Sequence, residues 1–149
     1  MTRAWRRVVT GLNAEGKSCV IIDGEVARPA STSNFVWQSS LPADNSGSAD
    51  AAAKSFEIAD VHHDGSNFML IEFPPGTEPG MHVTDTLDYF VMLSGRVTLE
   101  LDTGAVTLSP GDFVVSRGAM HGWRNDGPEP AVLAAMTVPA KPVGGGRTI

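Results

Sequence analysis

The chain has one cysteine, Cys19, in 149 residues, so no internal disulfide forms and no disulfide framework holds the fold. Cys19 opens the apolar run Cys19-Val20-Ile21-Ile22 and reads as a small buried hydrophobe. Basic charge is also scarce: 11 Lys and Arg against 17 Asp and Glu leave a formal net charge of −6. That deficit excludes the broad basic surface that nucleic acid or an anionic membrane requires. The only basic cluster, Arg3, Arg6 and Arg7, is short and near the start, and reads as a solvated arm. No segment approaches the roughly 20 consecutive apolar residues that span a bilayer. The first residues lack the apolar stretch of a secretory signal. A cytoplasmic protein without membrane or nucleic-acid partners is the expectation. Solenoid-type repeats are absent as well.

What is present is an ordinary globular composition, 42% hydrophobic and 19% charged, punctuated by 16 glycines and 10 prolines. A chain of this length buries one core without staples and is most simply one domain. Arg7–Thr10 and Ser18–Asp23 read as a hairpin around the turn Asn13-Ala14-Glu15-Gly16. Asn34–Gln38 reads as a strand. Pro42–Ala53 reads as a loop with one helical turn over Ala49–Lys54. From Asn67 onward, short strands are expected at Asn67–Phe73, Tyr89–Ser94, Arg96–Asp102, Ala105–Leu108, Phe113–Ser116, Gly122–Arg124 and Ala131–Val138. Turn signals such as Pro74-Pro75-Gly76, Asp102-Thr103-Gly104 and Ser109-Pro110-Gly111-Asp112 separate them. Short strands at this spacing, with no helix between them, predict an all-β antiparallel sandwich or barrel. The Gly144-Gly145-Gly146 tail reads as disordered.

Chemistry concentrates in two stretches. In the first, Gly76 is followed after five residues by His82, then by Thr84, by Asp88, and after six more residues by Gly95. The second runs from Gly111 to His121 and on through Trp123-Arg124-Asn125, with Arg117-Gly118 inside it. In this order and at these spacings they resemble the two motifs of the cupin family. Two ligand types differ: Thr84 stands where the family has its second histidine and Asp88 where it has a glutamate. The second motif is one residue shorter than the common pattern and has Arg117-Gly118 in place of Pro-x-Gly. The leading run RRVVTGLNAEGKSCVIIDG and the VWQSS strand also resemble small single-domain cupins that carry HxTDTxDY and RGxxHxW. The resemblance implies a double-stranded antiparallel β-barrel, the jelly roll, with N-terminal extension strands. Its core would span residues 61–140, with strands and a loop over 1–60 packing on the barrel or on a partner, and a flexible tail over 141–149. It also implies a homodimer.

The resemblance further implies that His82, Asp88 and His121 are the metal ligands or the catalytic set. Two imidazoles and one carboxylate suit Fe(II) and also accept Zn, Mn or Ni. Aspartate, however, is one methylene shorter than glutamate, and Thr84 is a weak neutral oxygen. The alternative is a metal-free, hydrogen-bonded polar cluster in which Asp88 fixes an imidazole tautomer. Under either reading, a carboxylate facing histidines in a partly dry cavity suits proton transfer. Dehydratase, isomerase, cyclase or decarboxylase chemistry on a small apolar or aromatic carbonyl compound therefore leads. An Fe(II)-dependent oxygenase of aromatic substrates or a ligand-binding module without catalysis follows.

Strand parity extends the pocket. If Asp88 faces inward, so do Phe90 and Met92, and Trp123 shares the face of His121. On the preceding strand Met69, Ile71 and Phe73 are assigned inward, which keeps Glu72 out. Arg117 stands at the edge of the site, where it pairs an anionic substrate or forms a surface salt bridge to Asp85 or Asp112. Tyr89 faces away by parity, and Asp85 and Thr86 read as supporting structure. His62-His63-Asp64 lies in a polar run and reads as a solvated loop.

Overall fold

Local sequence explains each strand, and the pairing of strands then builds the chamber. The computed structural model describes residues 4–27 and 32–149; Arg3 of the basic cluster lies outside them. Ten strands follow in order: β1 Arg6–Leu12, β2 Ser18–Glu25, β3 Ser33–Ser40, β4 Gly65–Phe73, β5 Thr86–Ser94, β6 Val97–Leu101, β7 Gly104–Leu108, β8 Phe113–Arg117, β9 His121–Arg124 and β10 Ala131–Pro139. All the pairings among them are antiparallel. β1 and β2 form the expected hairpin, closed by Asn13, whose Oδ1 accepts the backbone N–H groups of Glu15 and Lys17. The other strands form a five-stranded sheet in the order β3-β4-β10-β5-β8 and a three-stranded sheet in the order β7-β6-β9. β3 is thus a strand of the barrel itself, and Phe35 on it belongs to the core.

The core lies between the two larger sheets. Met69, Phe90, Met92, Ala131, Leu133 and Ala135 enter it from one sheet, and Val97, Leu99, Leu108 and Trp123 from the other. Alternation along each strand sets this face, as period-2 patterning requires. On β4 the opposite face is covered too: Leu70 packs with Val132 and Val26 against Trp5, Val36 and Leu93. That second cluster is why β4 reads as nearly continuous apolar sequence rather than as a clean alternation.

The turn expected over 49–54 is present, and two other local expectations need correction. A hydrogen-bonded turn forms within 49–54: Ala53 N–H donates to the Asp50 carbonyl at 3.3 Å, and the Asp50 carboxylate accepts the Ala52 N–H as well as a two-bond contact from the Arg7 guanidinium at 2.7 and 2.6 Å. A 3₁₀ helix forms later, at Ile58–His62, started by a reciprocal capping box between Glu57 and Asp60. Cys19 is half-buried rather than enclosed, and Val20 beside it is exposed. The C-terminal segment is not a free tail. Gly146, at φ 76°, turns the chain back so that Thr148 N–H donates to the Val83 carbonyl while the Thr148 hydroxyl accepts the Val83 N–H. Among the described residues no helix is long and apolar enough to cross a membrane.

One buried side chain ties the 3₁₀ helix to the sheet. Asn67 is fully buried, accepts from Gln38 Nε2 at 2.8 Å, and donates to the Asp60 carbonyl and to Thr137 Oγ1 at 3.0 Å each. Asn67→Ala strands these partners, and an unpaired buried polar group costs about 1–3 kcal/mol. We expect guanidinium denaturation to show a loss of about 2 kcal/mol at an unchanged slope. A loss under ~0.5 kcal/mol would show that water replaces the side chain without cost.

Candidate active site

The site begins with a backbone contact. Thr77–His82 runs beside β9 as a partial fourth strand, bridged to it at Thr77–Asn125 and at His82–His121. At the second bridge the two histidines exchange both hydrogen bonds, His82 N–H to the His121 carbonyl at 2.9 Å and His121 N–H to the His82 carbonyl at 3.0 Å. Directly opposed residues project their side chains to the same face. The imidazole centroids are 4.5 Å apart, with the rings tilted by 53°. Gly122 makes the approach feasible, since a Cβ there would lie 2.9 Å from the Met81 sulfur and 3.0 Å from Pro79 Cβ. Gly118, at φ 67°, supplies the turn that sends β8 into β9.

Each ring is then fixed by its own loop. His82 Nδ1 lies 2.7 Å from the Gly80 carbonyl and His121 Nδ1 lies 2.9 Å from the Ala119 carbonyl. A carbonyl only accepts, so each Nδ1 carries the proton and each Nε2 is left as the basic nitrogen. β5 presents Asp88 and Phe90 to the same chamber, and β4 presents Met69, Ile71 and Phe73. The intervening residues face out: Tyr89 is 40% exposed and Phe68 43% exposed. Trp123 is the central wall, stacked on Phe73 at 5.4 Å and edge-on to Phe90 at 5.1 Å. Together these side chains enclose a cavity of about 200 Å³.

Two residues assigned to the pocket are not in its lining. Met92 points inward and is buried, but it lies farther along β5, in the packed part of the core. Arg117 is exposed: its neighbour Ser116 takes the inward position opposite Asp88, which turns Arg117 outward. Conversely, the cover of the cavity had little signal in the sequence. Phe56, Ile58 and Val61 close it from the 3₁₀ region and Ile149 from the C-terminal segment. His62 and His63 are half-buried rather than solvated, and His62 Nε2 accepts the Asp85 N–H at 3.2 Å. Only this long-range contact reveals that role.

Burial sets the electrostatics. Asp88 is 3% exposed, and desolvation pushes its carboxyl above the usual range, against the opposing pull of Thr86, His82 and Thr84. Its Oδ1 has no hydrogen-bond partner among the described residues. His121 is equally buried, and desolvation together with His82 pushes it below the usual range, against the Ala119 carbonyl contact. The environment therefore favours a neutral carboxyl beside a neutral imidazole. As a metal site the set does not fit: among the described residues no group of three or more His, Cys, Asp or Glu side chains is placed to hold an ion. Asp88 comes from the sheet opposite β9 and carries the shorter carboxylate, and Thr84 contributes a hydroxyl that accepts from Thr86 at 2.8 Å.

A carboxyl whose folded pKa is raised binds its proton more tightly in the native state, so it withdraws stability as pH climbs through that pKa. Asp88→Asn removes this loss. We expect the variant to be more stable than the parent at pH 7 and to lose that advantage as pH falls toward the ordinary carboxylate value of 3.8. Denaturation curves at pH 7 and pH 4 check this, and a stability gain that is equal at both would contradict it.

The Cupin domain family matches residues 69–138. Phomopsin biosynthesis cluster protein C′ of Diaporthe leptostromiformis is 38% identical over 81 residues, covering 53% of this chain and 43% of that protein. The chain thus spans less than half the length of that relative. The cupin-domain-containing oxidoreductase srdB of Neurospora crassa is 30% identical over 152 residues, covering 92% of this chain and 74% of that protein. Among solved structures, a cupin 2 conserved barrel domain protein from Salinispora arenicola aligns with a TM-score of 0.47 at 22% identity, over 50% of this chain and 64% of that one. Cupins commonly bind divalent metals. With the family match over residues 69–138 and a 30%-identical relative covered to 74% in agreement, this chain belongs to the cupin family.

Proposed function

We propose that the protein is an enzyme that moves protons on a small, flat, largely apolar carbonyl compound, the chemistry of a dehydratase, isomerase, cyclase or decarboxylase. The carrying observation is the fixed pair of imidazoles, both with Nδ1 committed to backbone carbonyls, lining an apolar chamber that also holds Asp88. In this reading His121 Nε2 takes a proton from the carbon beside the carbonyl, and the C–H electrons form the enol double bond. The Asp88 carboxyl, whose pKa burial raises, donates its proton to the carbonyl oxygen as charge develops there. His82 is half-buried, and it passes the proton between His121 and solvent. The Phe73, Phe90 and Trp123 faces hold the substrate flat and exclude water, which strengthens each of these interactions.

Proton exchange is the direct readout. In D₂O, NMR should show the protein speeding deuterium entry at the α-carbon of propiophenone, used as an aryl ketone probe. His121→Ala should lower kcat/KM for exchange by about 10²-fold or more, since one general base contributes 10²–10⁴. Full exchange in His121→Ala, or none above the buffer rate in the parent, rejects the proposal.

A second reading, oxidation or reduction of similar compounds, is supported by the relative's description as an oxidoreductase. Elemental analysis of protein purified without a polyhistidine tag separates the two. Near-stoichiometric metal that disappears in both His82→Ala and His121→Ala favours the redox reading. Its absence after reconstitution leaves the proton-transfer reading.

A further inference from the structure

Outside the reaction chamber the fold builds a second hollow with a different chemistry. Ile58 and Ile149 line the inner cavity and also an open vestibule, whose other walls are Ala59, His62, Arg147 and Thr148. The two spaces are therefore neighbours separated by two aliphatic side chains. The inner lining includes no Lys or Arg, so an anionic group on a ligand has no counter-charge there.

The vestibule supplies donors. Arg147 is exposed, and among the described residues no ion pair engages its guanidinium. His62 Nε2 accepts the Asp85 N–H, so a neutral His62 carries its proton on Nδ1 and donates from there. Burial and the nearby Arg147 charge both hold His62 below its usual pKa, against the pull of Asp85. The Thr148 hydroxyl accepts from Val83 and keeps its own O–H to give. The opposing charge is Asp85, which lies behind Gly146 with Oδ1 buried, whereas Arg147 stands in solvent. A guanidinium, an imidazole N–H and a hydroxyl around one hollow match the needs of a carboxylate.

We propose that this vestibule is a carboxylate-binding subsite, and that the ligand is an amphipathic acid whose apolar body fills the inner cavity while its carboxylate rests against Arg147 and His62. This deepens the proton-transfer reading by naming the substrate class, a carbonyl acid with an aromatic or apolar body, and it depends on that reading for the use of the inner chamber. It also gives the C-terminal segment a role, because the turn at Gly146 that returns Thr148 to Val83 carries Arg147 to the mouth.

Calorimetric titration with cinnamate and with cinnamamide tests it, since the two probes share an apolar body and differ in charge. The parent should bind cinnamate about tenfold more tightly, the scale of one charge-assisted contact. Arg147→Gln should abolish that preference and leave the cinnamamide affinity unchanged, while Phe90→Ala should weaken both probes alike. Equal binding of the two probes by the parent, no binding of either, or a preference that survives Arg147→Gln overturns the subsite. Turnover is not read in this experiment. A cinnamate preference in a protein that exchanges no ketone proton sinks the catalytic proposal alone, and exchange without the preference sinks the subsite alone.

Discussion

The reciprocal backbone pair between His82 and His121 is the constraint on which the rest of the site depends. It is the last rung of a ladder that would otherwise end at β9, and it works because Thr77–His82 bulges between its two bridges over a glycine. Without a Cβ at position 122, Pro79 and Met81 pass close enough for the bonds to form. Once they form, two imidazoles from distant parts of the chain stand side by side, and the local carbonyls of Gly80 and Ala119 select one tautomer for both. Backbone geometry alone therefore fixes which nitrogens are basic. No second side chain is needed to orient either ring, which leaves Asp88 free of the fixing role that would otherwise occupy it.

Much of this was legible because sheets alternate. Given one inward residue on β5, parity placed Asp88 and Phe90 together and sent Tyr89 outward, and the same rule on β4 separated Met69, Ile71 and Phe73 from Phe68. The rule fails where it says nothing about depth. Met92 shares the face of Asp88 yet sits in packed core, because the cavity occupies only one end of the barrel. Arg117 was misplaced for a different reason: its position beside a turn glycine drew attention, but Ser116 holds the inward slot.

The cover of the chamber was illegible in physical terms as well. Ile149, Val61 and the His62–Asp85 contact are joined by tertiary packing across long sequence separations, with no periodicity to betray them. A glycine-rich tail of low hydrophobicity carries the same composition whether it is loose or tied. Two hydrogen bonds at Val83 distinguish the cases, and they depend on a partner segment 65 residues away. The turn within 49–54 was legible because its bonds are local: Asp50 accepts the Ala52 and Ala53 N–H groups, and the Arg7 ion pair adds to them.

The departures from the usual cupin ligand set acquire a physical sense when taken together. Thr84 puts a neutral hydroxyl where an imidazole would stand, and Asp88 keeps the carboxylate on a side chain one methylene shorter. A chamber walled by Phe73, Phe90 and Trp123 can stay dry only if its titratable groups are mostly neutral, and burial drives Asp88 and His121 toward their neutral forms. A carboxyl shifted upward beside an imidazole shifted downward is an arrangement suited to proton transfer. Asp88 Oδ1 has no hydrogen-bond partner among the described residues, and a buried oxygen without one is a cost to folding. Polar groups that weaken a fold without any structural gain are where function is to be sought. On that ground Asp88, rather than either histidine, is the residue that most sharply distinguishes this chamber from a barrel core.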